Sequence, residues 1–230
     1  VTAAGPAAVR DQPLIAVDVV LVSAAGAAVA GRDDAPTGLR VATARRRYEP
    51  FAGREALPGV LLDGAELLAD GARRALRTKT AVDAAAVRHL AQVGAFDGPD
   101  RDPRSTAISV AFLAVAGSDT AGDGTTWHDV VGLPLGLPFD HDRIIAAALD
   151  HARTRLWSDV PLTRALLGER FTTPDAARLV VALTGTSPDP GNLNRALRTN
   201  PALTRVDPTA AAATRAGRGG RPPAAWTWVG

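Results

Sequence analysis

LPGVLLDGAELLADGARRALRTKT, residues Leu57 to Thr80, is the stretch from which the rest of the chain can be read. It opens on a Pro-Gly turn, and from Glu66 to Thr80 the residues Leu68, Ala72 and Leu76 recur at helical spacing on one stripe. Gly71 inside that helix costs about 1 kcal/mol relative to alanine, so packing has to supply what propensity does not. On either side lie strands. Leu14 to Ser23 (LIAVDVVLVS) is a nearly continuous β-branched run, Gly38 to Ala44 is a shorter one, Ala107 to Ala116 (AISVAFLAVA) is a third, and Trp127 to Val131 reads as another. From Asp140 the period becomes helical again: Ile145, Leu149, Ala152 and Leu156 form a stripe that ends near Trp157. Strands and helices mix without regular alternation, which predicts an α+β sandwich module over a doubly wound sheet.

After Ser158 the pattern changes to short helices and a hairpin. Pro161 to Leu167 makes one helix; Thr173 as N-cap with Pro174 at the first helical position leads Asp175 to Leu183 into a second, which Gly185 ends. Asn192 to Thr199 is a third, with Leu193, Ala196 and Leu197 inward and Asn192, Asn194, Arg195 and Arg198 outward. Leu203 to Val206 and Trp226 to Val229 read as two strands joined by a Gly/Arg/Pro-rich loop. Three helices and a β-ribbon outline a winged helix-turn-helix. The expected division is residues 1–157 for the first module and 158–230 for the second.

Composition narrows the function. The chain has 230 residues, 46% hydrophobic and 22% charged, enough apolar surface for packed cores. It has no cysteine, which excludes disulfides, thiolate metal sites and a cysteine nucleophile. No apolar run approaches the roughly 18 to 20 residues that cross a bilayer, so a soluble, cytoplasmic protein is expected. The net charge of +2 hides an asymmetry: residues 1–150 hold 15 Lys+Arg against 19 Asp+Glu, and residues 151–230 hold 11 Arg against 5 Asp+Glu. Lys79 is the one lysine, so the basic half is all arginine, suited to bidentate contact with phosphates and guanine edges. Neither a nucleophile elbow nor a Walker phosphate loop is present.

The Leu57 to Thr80 stretch resembles the Nudix box, in which a glycine-bearing turn leads to a helix reading Arg-Glu-hydrophobic-x-Glu-Glu. Pro58, Gly59, Glu66, Arg74 and Leu76 match it, but Ala75, Thr78 and Lys79 stand where the metal-binding glutamates belong. Pyrophosphate hydrolysis by that machinery needs carboxylates to hold Mg²⁺. Lys79 sets a like charge there instead, worth about 4 kcal/mol of repulsion at ~4 Å and an effective dielectric near 20. Two flanking segments extend the resemblance. RRYEPFAGREALPG (Arg46 to Gly59) is similar to the segment ahead of the box in ADP-ribose-type Nudix domains, with Glu55 in place of the usual tryptophan, and FDGPDRDPR (Phe96 to Arg104) is similar to their Arg-Asp-Pro-Arg loop. Arg46 and Arg104 can contact a diphosphate, and Asp102 or Glu49 can accept from ribose hydroxyls.

LPFDHDRIIAAAL (Leu137 to Leu149), the helices after it and the terminal GRPPAAWTW complete a likeness to the Nudix-related transcriptional regulators of NAD metabolism, the NrtR family. What the resemblance implies is a Nudix-like α/β/α sandwich that senses ADP-ribose without necessarily hydrolysing it, catalytically inactive here given Ala75, Thr78 and Lys79, a winged helix that binds a double-stranded operator with inverted repeats, a homodimer, and repression of NAD biosynthesis or salvage genes. The ligand would be held by Arg46, Glu49, Lys79, Asp102 and Arg104. DNA would be met by Asn192, Asn194, Arg195 and Arg198 and by wing residues Arg215, Arg218 and Arg221. No metal or cofactor is expected: His141 lacks a second histidine at ligand spacing, and capping or packing is its expected role. Two alternatives stay open, a working Nudix hydrolase and a regulator that senses a sugar.

Overall fold

The computed structural model describes residues 12–24, 38–99, 101–104, 106–117, 124–206 and 223–229. Its centre is β1 (Leu14–Ala24), whose alternation sorts the layers. Val17, Val19 and Leu21 are fully buried on one face and Val20 and Val22 on the other, each contributing about 1.5–3 kcal/mol by leaving water. β6 (Ala107–Ala116) runs parallel to β1 from the Leu14–Ala107 pair to the Ser23–Ala116 pair, while β2 (Leu39–Arg45) and β4 (Gly59–Leu61) pair antiparallel with its two ends. β5 (Val87–Phe96) joins β6, and β3 (Glu55–Ala56) and β7 (Thr125–Asp129) join β2. Helix α1 (Leu68–Thr80) lays Ala72, Ala75 and Leu76 on the first face; α2 (His141–Arg155) lays Ile144, Ile145, Ala148 and Ala152 on the second. The expected α/β/α sandwich is the observed one.

The second module runs α3 (Val160–Leu167), β8 (Arg170–Thr172), α4 (Thr173–Thr184), α5 (Pro190–Thr199), β9 (Leu203–Val206) and β10 (Ala225–Trp228). Its sheet order, β8-β10-β9, and its helix–strand–helix–helix–strand–strand sequence are those of a winged helix. The apolar cluster on the α2 face does not stop at residue 157. It continues from Val22, Leu113 and Ile145 through Leu162 and Leu166 of α3 to Phe171, Leu197, Trp226 and Trp228.

Several element expectations need correction. The largest miss is β5, ten residues long, in which Arg88, His89 and Gln92 break the alternation and two register irregularities shift the faces. β3, β4 and β8 are too short to carry a period. α1 begins at Leu68, with Glu66 in the preceding turn, and α5 begins two residues early because Pro190 occupies its first turn. The cap of α4 is Thr172 rather than Thr173: its hydroxyl accepts from the Asp175 N–H, and the Asp175 carboxylate accepts from the Thr172 N–H at 2.7 Å.

Candidate functional site

β2 ends at Arg45, and the chain turns back on itself at once. The Arg46 N–H donates to the Arg54 carbonyl at 2.8 Å and the Gly53 N–H to the Arg46 carbonyl at 2.9 Å, a turn that puts Phe51 at φ 66 and Gly53 at φ 81. The Arg46 guanidinium threads this turn, with Nε donating to the Pro50 carbonyl at 2.8 Å. Its central carbon lies 4.6 Å from the centroid of the Phe139 ring, and that of Arg104 lies 5.9 Å from the same ring. Phe51 meets Phe139 edge-on at 5.0 Å. Partial burial and the neighbouring Arg104 charge push the Arg46 pKa down, against the pull of Asp102, Asp18 and Glu49. Two guanidiniums thus meet on one aromatic floor, that of Arg104 already paired with Asp102, and the net positive charge of the group favours an anion.

Asp102 does not stand free in this pocket as a hydroxyl acceptor. Its carboxylate takes the Arg104 Nε–H at 3.0 Å, Nη2–H at 2.7 Å and backbone N–H at 3.0 Å. It fixes the direction of Arg104. Glu49 is exposed and accepts weakly from the Ala52 N–H at 3.4 Å. Lys79 sits exposed in the last turn of α1, which ends beside β7 where Thr125 Oγ1 approaches the Thr80 carbonyl at 3.5 Å.

Behind the arginines is a buried charge cluster that sequence reading missed. Asp18 interrupts the apolar run of β1, and that interruption was its only signal. Its Oδ2 accepts from Arg101 Nη2 at 2.8 Å and Ser109 Oγ at 2.6 Å, and lies 3.6 Å from His141 Nε2. Burial raises the Asp18 pKa, but the contacts with His141, Ser109 and Arg101 outweigh it and hold the group at about 2. The Leu57 N–H donates to His141 Nδ1 at 2.9 Å, which leaves Nε2 as the protonated nitrogen facing Asp18. His141 therefore ties three segments together, in keeping with its expected packing role.

The residues on α1 do not fit a magnesium centre. Ala75 is buried on the sheet, Thr78 donates its hydroxyl to the Arg74 carbonyl at 2.8 Å, and Lys79 is a cation. Among the described residues there is no group of three or more His, Cys, Asp or Glu able to hold a metal. Glu66 and Arg74, which match the box, form a two-pronged ion pair at 2.8 and 2.6 Å, and Arg74 also donates to the Leu61 carbonyl, so the pair pins the turn to the helix. Glu55, which stands in the tryptophan's place, joins Thr43 at 2.8 Å and His128 at 2.7 Å in a polar cluster on β2, β3 and β7. Burial opposes its ionisation, and hydrogen bonds from Thr43, Thr126 and His128 overcome that and lower its pKa.

On the winged helix, Asn192, Asn194, Arg195 and Arg198 all lie exposed along α5, while Leu193 and Leu197 are buried beneath them. Asn194 Nδ2 donates to the Pro190 carbonyl at 3.0 Å, and Asp189 caps the helix by accepting from the Asn192 N–H. Arg164 and Arg178 are neutralised by Glu169 and Asp175. Arg195 and Arg198 form no ion pair among the described residues. The expected wing residues Arg215, Arg218 and Arg221 lie outside the described residues.

An α/β/α sandwich of Nudix type followed by a winged helix defines the class. In fold the chain is NrtR-like: Shewanella oneidensis NrtR superposes with a TM-score of 0.69 over 94% of each chain at 23% identity, and that protein has also been solved with a 27mer DNA. Its Nudix domain complexed with ADP ribose matches at 26% identity and a TM-score of 0.50, covering 61% of this chain and 89% of that one. The ADP-ribose pyrophosphatase of Methanocaldococcus jannaschii is 34% identical over 106 residues, 44% of this chain; the chain spans about 60% of that relative's length. No protein-family profile matches the chain.

Proposed function

We propose that the protein is a DNA-binding transcriptional regulator whose Nudix-like module binds ADP-ribose without hydrolysing it. The observation that carries this reading is the pairing of Arg46 and Arg104 on Phe139 in a domain whose α1 has lost every carboxylate of the metal-binding set. A diphosphate would lie across the two guanidiniums, with Asp102 keeping Arg104 in place. The solved complexes of proteins with this fold, one with DNA and one with ADP ribose, support the same assignment. The exposed, unpaired arginines of α5 would contact the operator, with Arg215, Arg218 and Arg221 adding phosphate contacts. A homodimer would present two α5 helices to successive major grooves about 34 Å apart, and ligand binding would relieve repression of NAD biosynthesis or salvage genes.

The pyrophosphatase match favours hydrolysis as the second reading. Calorimetry with ADP-ribose, NAD and arabinose in parallel, followed by assay for AMP release, separates the readings. Saturable ADP-ribose binding without AMP supports the first, turnover supports the second, and binding of arabinose alone supports a sugar-sensing regulator.

A further inference from the structure

Arg101 is the more deeply buried arginine of the Arg101–Arg104 loop, its side chain only 4% exposed, and it is not one of the two that line the Phe139 pocket. One of its nitrogens, Nη2, donates to Asp18 at 2.8 Å. A second, Nε, lies 2.9 Å from Oδ1 of Asp140. Both Arg101 Nε and Asp140 Oδ1 are buried, yet neither makes a hydrogen bond: the charges touch without the N–H being directed at the oxygen. Buried polar atoms are nearly always hydrogen-bonded, so an ion pair left in this state is one that a small displacement either completes or opens.

Its position gives that displacement a consequence. Asp140 is the N-cap of α2 and follows Phe139 directly, and both residues hold left-handed backbone, φ 61 for Phe139, uncommon for a phenylalanine, and φ 53 for Asp140, which an aspartate tolerates. Arg143 of the same helix donates to the Asp97 carbonyl at 3.3 Å, so the loop that carries Arg104 meets the start of α2 there and again at the Arg101–Asp140 ion pair. The far end of α2 is another left-handed step, Trp157 at φ 73. There the Trp157 N–H donates to Thr163 of α3 at 3.0 Å, and its ring lies 6.4 Å from Phe171 of β8. α2 is firmly packed on the sheet, but beside the end of α4 it borders a groove of about 450 Å³ lined by Leu133, Pro134, Ala146, Leu149, Ala182 and Leu183. The helix has fixed ends, strained joints and space on one side.

We propose that the Arg101–Asp140 ion pair couples occupancy of the Phe139 pocket to the placement of α2, and through the Trp157 joint to the winged helix. This rests on the ligand reading above. An anion drawn between Arg46 and Arg104 shifts the loop and the Phe139 ring together, changes the Arg101–Asp140 contact, and moves the helix whose cap is Asp140. Arg101 and Asp140 are positioning residues: neither touches the ligand.

The test is hydrogen exchange of the full chain with and without saturating ADP-ribose, read at residues 157–163. In the wild type the ligand alters exchange there by roughly five-fold or more, the lower end of ordinary coupling between sites. Asp140→Asn keeps a residue at ease in left-handed backbone and removes the charge; Arg101→Lys keeps a cation for Asp18 and loses the reach to Asp140. Both variants should bind ADP-ribose as the wild type does, by calorimetry, while the response at 157–163 disappears. A wild-type response that persists in whichever of the two variants folds overturns the relay and leaves the ligand reading standing. Absence of ADP-ribose binding to the wild type overturns the ligand reading and the relay with it.

Discussion

Arg104 carries its prediction most directly. A charge-assisted contact is worth about 1.5–3 kcal/mol, so Arg104→Ala should weaken ADP-ribose binding roughly ten- to a hundred-fold, measured by calorimetry, and should also lower the melting temperature, because it leaves the buried Asp102 carboxylate without its guanidinium partner. Unaltered affinity would place the pocket elsewhere. Asp18 is the opposite kind of residue, remote from solvent and essential to the frame. Replacing it by asparagine leaves the buried Arg101 with Asp140 alone as counter-charge, a contact without a directed hydrogen bond, and should cost up to about 3–5 kcal/mol in denaturant unfolding. Its titration has a definite sign. The group is held at about 2 against an ordinary 3.8, so its stabilisation is complete above 3.8 and is lost as the pH falls toward 2; the Asn variant should lack that acid-side slope. Of these residues the sequence made Arg46 and Arg104 legible, because they sit in contiguous motifs, whereas Phe139, though inside the Leu137 to Leu149 stretch, read only as part of the lead into a helix. Asp18 and Arg101 were hidden because a charged residue reads as surface until the partner that buries it is known, and here the partners are 83 positions apart.

At the scale of elements, α1 decides what chemistry is available. With Ala75 turned into the sheet and Lys79 at the exposed end, Mg²⁺ has no ligand set on this helix, and ADP-ribose should not release AMP with Mg²⁺ or Mn²⁺. Turnover near 1 s⁻¹, an ordinary enzymatic rate, would refute this. The same helix shows why pattern reading worked where it did. α1, α2 and α5 each place apolar residues on a single stripe because each covers one surface. β5 escaped because it is covered only partly on both sides, so no residue but Phe96 is fully withdrawn and the bulges around Arg88 and Val93 erase the period.

For the whole molecule, the continuous cluster from Val22 to Trp228 means that the modules share their packing. Calorimetry of the intact chain should show one unfolding transition, and Leu166→Ala, at the centre of the cluster, should lower it by about 2–5 kcal/mol without splitting it. Two separated transitions would mean the modules are energetically independent. On DNA, Arg195→Ala should cost about 1–3 kcal/mol and relax preference at one base pair, checked by gel shift against a panel of operator variants. A loss equal for all sequences would demote Arg195 to a phosphate contact.

The tryptophans are distributed unevenly along this shared core. Trp127 alone belongs to the sandwich sheet, on β7. Trp157, at the end of α2, stacks toward Phe171, which in turn lies 5.7 Å from Trp228, and the indole nitrogens of Trp226 and Trp228 donate to Thr173 and to the Gly168 carbonyl. Three of the four indoles therefore look onto the winged helix and the joint that leads to it, and the chain has a single tyrosine to compete with them. The intrinsic emission of this protein is in effect a lamp placed in the winged-helix half: a ligand that enters the other half and changes the colour or brightness of that light has been felt across the molecule, with no label attached.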